Sequence, residues 1–268
     1  HNLNLLESEK MTRRYVDLSV PLEAGIVSDP DIMLPKIEYL NHDDTAEQVC
    51  SLFPGMTKEQ LPGGEGWAVE QLQIATHNGT HLDAPYHYHS TMNNGERAIT
   101  IDEVPLEWCF NPGVKLDFRK FEDGYIVTAE DVEKELERIG HQLKPLDIVM
   151  VNTSAGDRYG KSDFLLKGCG MGREATLYLT ERGVRVTGTD AWSWDAPFPL
   201  TAKKFSEEKD PSIIWEGHRA GMDIGYCHIE KLTNLENLPA NGFEVSCFPF
   251  KIKNASAGFT RAVAIFED

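Results

Sequence analysis

His77-Asn-Gly-Thr-His81-Leu-Asp83-Ala-Pro-Tyr-His87 places three imidazoles and one carboxylate within eleven residues. Gly79 and Pro85 oppose a regular helix across the stretch, and no apolar period runs through it. It reads as a loop that presents polar side chains. Divalent ions such as Zn²⁺ and Mn²⁺ take neutral imidazole nitrogen and carboxylate oxygen, and a catalytic centre supplies about three such ligands, leaving a position for water. His77, His81 and Asp83 suit that set, and His87 is left close enough to move protons. A His-x₃-His pair stacked on one helix face would be the non-functional reading. It requires the helix that Gly79, Thr80, Asp83 and Pro85 disfavour.

Outward from this motif, residues 67–76 read as a strand delivering it, and 28–66 as a long ordered excursion, rich in Pro, Gly and acid, with a short helix near 44–52. Long loops in compact domains often cover sites. Residues 15–20 alternate as a strand until Pro21, and 114–118 forms another. Thr128 then caps a helix that runs to Gly140. A buried strand over 146–151, a helix over 172–182 ended by Gly183 and strands over 184–189, 243–248 and 261–266 follow. The interleaving predicts an α/β (α+β) fold, one domain over 15–268 with a mixed sheet, behind an extension at 1–14.

The chain has 268 residues, 41% hydrophobic and 26% charged, with a formal net charge of −17. That acidity repels phosphate backbones and anionic lipid, so neither nucleic acid nor a membrane surface is the expected partner. Five scattered cysteines with no Cys-x-x-Cys pair argue against a disulfide framework or a thiolate metal cage, and for a reducing cytoplasm. No stretch reaches the roughly 18 apolar residues of a membrane span, and residues 1–14 show no apolar signal-peptide core. Asn152-Thr-Ser-Ala-Gly156 lacks the Gly-x-Ser-x-Gly elbow of a serine hydrolase.

Two further groups carry chemistry. Trp192-Ser-Trp194-Asp-Ala-Pro-Phe198 either fills core or walls a pocket for a flat aromatic ligand, and Trp67 and Phe53 could join that wall. His218 and Glu230 stand apart from the motif; without function they are a surface turn followed by a helix start over 227–232.

His-x-Gly-Thr-His-x-Asp-x-Pro-x-His resembles the signature of the cyclase family, which includes bacterial kynurenine formamidase and isatin hydrolase. Val16-Asp-Leu-Ser-Val-Pro-Leu22, Gly172-Arg-Glu-Ala175, Gly183-Val-Arg-Val-Thr-Gly-Thr-Asp190 and the His218-to-Glu230 interval are similar to family landmarks. The resemblance implies a swivelling β/β/α-type fold, a homodimer or homotetramer, and metal-dependent hydrolysis of a small amide, lactam or lactone. It assigns His77, His81 and Asp83 to the metal and His87 to proton transfer, and it offers His218 and Glu230 for a second metal. The Trp-rich stretch and long excursion are most similar to isatin hydrolase, which implies Mn²⁺, with Zn²⁺ as the alternative, and a small aromatic amide such as isatin; N-formylkynurenine is the other substrate implied. A metal-binding protein with a purely structural site is the competing, non-enzymatic reading. Chelation separates the two, because a structural site holds the fold together.

Overall fold

The computed structural model describes residues 12–267. Nine strands form one mixed sheet: β1 Arg13–Asp17, β2 His81–Asp83, β3 Phe110–Asp117, β4 Ile148–Asn152, β5 Val186–Thr189, β6 Cys227–Glu230, β7 Glu244–Ser246, β8 Ala257–Phe259 and β9 Val263–Glu267. Their spatial order is β1-β9-β7-β3-β4-β5-β6-β2-β8. The central four, β3 to β6, run parallel, and antiparallel strands extend the sheet on both sides. The expected mixed sheet is present.

Parallel strands need crossovers, and helices cover their faces. The helix Ala129–Ile139 connects β3 to β4, and Arg173–Glu181 connects β4 to β5. Thr128 accepts the main-chain N–H of Asp131 at 3.2 Å, while Asp131 accepts that of Thr128 at 3.0 Å, closing a capping box. Gly140 ends this helix in the left-handed region at φ 66°. Val132, Leu136, Ala175 and Leu179 of the two helices bury one face of the sheet with Val149 and Val151 of β4. Ile148 and Met150 point the other way, into a second core with Val186, Ile229 and Leu82. The continuous apolar run of β4 is thus explained by burial on both faces.

Several boundaries move. The first strand begins at Arg13, inside the expected extension, whose residues 1–11 lie outside the described ones. The strand expected at 67–76 is Val69–Gln73, exposed throughout, and it pairs with Lys36–Leu40 in a separate two-stranded arm instead of joining the main sheet. The expected helix near 44–52 is Ala46–Ser51. Residues 227–232 hold no helix start: Cys227–Glu230 is a fully buried strand, because it runs between β5 and β2 in mid-sheet. All five cysteines are buried free thiols. Among the described residues, no helix is long and apolar enough to cross a membrane.

Candidate active site

The motif is a turn, a three-residue strand and a helical turn in succession rather than one loop. His81–Asp83 is buried in the sheet, antiparallel to β6, with His81 opposite Glu230, Leu82 opposite Ile229 and Asp83 opposite His228. Side chains alternate across a strand, so this register puts His81, Asp83, His228 and Glu230 on one face and Leu82 and Ile229 in the core behind them. Gly79, at φ 59°, makes the turn that brings His77 back over the strand. Pro85 opens the single helical turn Pro85–Tyr88, which lifts His87 to the rim.

The side chains converge tightly. Asp83 Oδ1 lies 2.9 Å from His77 Nδ1 and 3.2 Å from His81 Nε2, and Oδ2 lies 2.8 Å from His228 Nε2 and 3.9 Å from His87 Nε2. Glu230 Oε1 lies 3.3 Å from His81 Nε2, and Oε2 lies 3.4 Å from His228 Nε2 and 3.7 Å from His218 Nε2. Each carboxylate therefore turns one oxygen toward each side of the centre.

The outer nitrogens of four imidazoles are engaged. His81 Nδ1 donates to the Gly79 carbonyl at 2.9 Å, and His218 Nδ1 donates to Asp195 Oδ2 at 2.5 Å. Both partners only accept, so each Nδ1 carries a proton and each Nε2 is the atom that faces inward. Tyr226 donates its hydroxyl proton to Gly217 at 2.8 Å, which leaves its oxygen to accept from His228 Nδ1 at 3.3 Å. His77 Nε2 meets Ser256 Oγ at 3.2 Å.

Such a centre suits a divalent cation. Two ligand groupings are close enough to share one ion each, namely Asp83, His218, His228 and Glu230, and His77, Asp83 and His87. His81 Nε2, His228 Nε2 and both Asp83 oxygens are buried yet make no directed hydrogen bond. They approach one another without pointing as donor to acceptor. Among the described residues every ion-pair partner of Asp83 and Glu230 is a histidine. Burial disfavours a charged His81, but Asp83 and Glu230 outweigh it and push its pKa up to about 9; burial likewise opposes a charged His228, and Glu230 and Asp83 push it to about 9. The pocket thus attracts positive charge, which a cation with nitrogen and oxygen ligands supplies. His87 differs: burial dominates and lowers it to about 4 despite Asp83.

Above the centre lies a cavity of about 180 Å³, with His77, His87, His218 and Glu230 at its base and Met33, Trp192, Phe198 and Trp215 among its walls. Trp215 stacks on His218 at 4.3 Å between ring centroids. Of the aromatics expected here, Trp192 lines the cavity and donates Nε1–H to Asp29 at 3.0 Å. Trp194 does not: it is core, donating to Thr176 at 3.1 Å and lying flat behind His228. Phe53 and Trp67 are 56% and 41% exposed and do not line the cavity. The sequence reading missed His228, Trp215 and Asp195. His228 shows itself only once 227–230 is taken as a strand, where residues two apart share a face.

The fold and site together define an α/β protein built around a buried histidine-carboxylate centre. Residues 16–196 match the putative cyclase family, and the chain belongs to it. It is 29% identical over 198 residues to a kynurenine formamidase of Salinibacter ruber, covering 72% of this chain and 77% of that protein. A Bacillus cereus kynurenine formamidase is 24% identical, with 94% and 97% covered. Isatin hydrolase A of Labrenzia aggregata, solved with benzyl benzoate, shares the fold at a TM-score of 0.72 and 24% identity, over 96% of this chain and 94% of that one. An isatin hydrolase holding the product analogue thioisatinate superimposes with a TM-score of 0.72 at 20% identity, over 96% and 93%.

Proposed function

We propose that this protein is a divalent-cation-dependent hydrolase that opens a small cyclic amide, with isatin to isatinate as the leading reaction and N-formylkynurenine as the second substrate. One observation carries the reading: imidazoles tied on their outer nitrogens face two buried carboxylates at the floor of an aromatic-walled cavity. The similarity to kynurenine formamidases and to isatin hydrolases supports an aromatic amide as the substrate.

His77, His81 and Asp83 would hold one cation, and His218, His228 and Glu230, sharing Asp83, would hold a second, with Mn²⁺ preferred and Zn²⁺ the alternative. When bound, such an ion makes water acidic enough to ionise near neutral pH and polarises a carbonyl. The protein's own residues do the rest. Trp192, Phe198 and Trp215 take the flat substrate and exclude bulk water. His87, unprotonated at neutral pH, accepts at Nε2 the proton released as water oxygen adds to the carbonyl carbon. It returns that proton to the nitrogen as the C–N bond breaks.

The test is the purified chain loaded with Mn²⁺ or Zn²⁺, assayed against isatin and N-formylkynurenine by their absorbance. His87→Ala should lower kcat by about 10²–10⁴, and His81→Ala should abolish turnover. Unchanged turnover in both variants would rule the scheme out. Chelation should leave a folded, inactive protein; global unfolding would favour a structural site.

A further inference from the structure

We infer that an open apolar cleft beside the reaction cavity is a subsite for an apolar substituent of the substrate, a ring or a short alkyl chain; this rests on the hydrolase reading above. The cleft has a volume of about 380 Å³ and lies between the helix Phe198–Glu208 and the turn Pro211–Ile213 with the two residues after it. Ala196, Phe198, Ala202, Ile214 and Trp215 supply its apolar surface.

Phe198 and Trp215 line both spaces, so the cleft and the reaction cavity share two walls. The cavity alone, at about 180 Å³, falls short of the roughly 300–1,000 Å³ typical of ligand pockets, and the cleft supplies the missing space. A carbonyl held over His77 and Glu230 would send its substituent past the Trp215 indole, whose plane lies 9° from that of His218.

The lining also selects the chemistry. Asp195 reaches the cleft, but its carboxylate is spent on the main-chain N–H groups of Gly217 at 2.8 Å and His218 at 2.9 Å and on His218 Nδ1. Thr201 donates its hydroxyl to Pro197 at 3.3 Å. The polar atom left over is Trp215 Nε1, buried without a partner. A charged group would lose water there without meeting a free counter-charge in the lining, whereas an apolar one would cover Phe198 and Ile214, each 43% exposed.

The experiment measures affinity of the Mn²⁺-loaded full chain for benzoate and its 4-methyl, 4-ethyl and 4-butyl derivatives by calorimetry. The carboxylate stands in for the product acid, and turnover is not needed. Affinity should rise about threefold to fourfold per methylene buried. Ala202→Trp, at an exposed helix position, and Ile214→Trp, as a second variant, should each cut that increment below about 1.5-fold, with unchanged circular dichroism. A flat series in the wild-type chain, no binding by any benzoate, or an increment untouched in both variants would overturn the subsite. So would a flat series together with a dimer that Ala202→Trp dissociates, since a second copy would then occupy the cleft. Failure of the isatin and formamide assays alongside a graded series would fail the reaction and leave the apolar subsite standing.

Discussion

Lys231 Nζ donates to the main-chain carbonyl of His77 at 2.8 Å, so the residue following Glu230 grips the start of the histidine motif on another segment. The same ammonium pairs with Asp29 in the interior. Asp29 also accepts from Trp192 Nε1 and Asn78 Nδ2, both at 3.0 Å, and Asn78 Nδ2 reaches the Met33 carbonyl at 2.8 Å. One buried ion pair therefore binds the 28–66 excursion, a cavity wall and the His77 main chain into a single unit.

Lys231→Met should cost about 3–5 kcal/mol of stability, because it leaves the Asp29 carboxylate buried without a counter-charge. Removing both charges in Lys231→Met/Asp29→Leu should restore most of the stability. It should not restore cation affinity or KM, since the His77 carbonyl and the Trp192 N–H still lack their partners. Urea unfolding and calorimetric cation titration read the two quantities separately. Full recovery of both would reduce the pair to a packing element.

Asp195 fixes which His218 nitrogen faces the centre. Its 2.5 Å contact holds the proton on Nδ1 and keeps Nε2 free toward Glu230. In Asp195→Asn the amide can present its N–H₂ to that nitrogen and favour the other tautomer. Partners of metal-binding histidines typically contribute 10-fold to 100-fold in affinity, and a loss of that size is expected for this variant. Isothermal titration with Zn²⁺ measures it, and an unchanged affinity would exclude His218 from the ligand set.

His228 should matter as much as the motif histidines. Its side chain is wholly buried, 2.8 Å from Asp83 and stacked at 5.0 Å on Tyr88. His228→Ala should lower both the number of Mn²⁺ ions bound and their affinity, and should cost about 2–5 kcal/mol from the cavity left behind. His228→Asn keeps more of the volume, so it should regain stability without regaining the ion. Stoichiometry by atomic absorption after gel filtration decides the point.

The sequence displays the centre and the sheet unevenly. His77, His81, Asp83 and His87 are dense enough to be seen without a structure, and Thr128 and Gly140 bracket their helix by local chemistry. The apolar run at 148–151 announces a strand buried on both faces. The Cys-His-Ile-Glu segment of β6 hides because its alternation is short and polar on one side, which resembles a helix start until β5 and β2 flank it. Val69–Gln73 misleads in the opposite way. It precedes the motif closely in sequence, yet pairs with Lys36–Leu40, a choice of partner that alternation cannot specify. Trp67 and Phe53 followed that misplaced strand and excursion to the surface. Trp215 gives no sequence signal, since its role comes from lying over His218.

Asp190 gives the stability a pH dependence of defined sign. Its buried carboxyl accepts the Thr153 hydroxyl at 2.7 Å and the Thr153 N–H at 3.0 Å, but burial outweighs these donors and raises its pKa to about 8. Between the unfolded value near 4 and the folded value near 8, the native chain keeps a proton that the unfolded chain has lost. Stability from this group is therefore complete below about pH 4, falls as pH rises, and levels off above about pH 8. The slope is at most about 1.4 kcal/mol per pH unit. Asp190→Asn removes the titration while keeping an acceptor for Thr153. Urea unfolding at pH 5, 6, 7 and 8 should therefore show the wild-type free energy declining relative to the variant. A difference that stays constant across that range would mean that Asp190 is ionised in the folded protein and that its Thr153 contacts overcome burial.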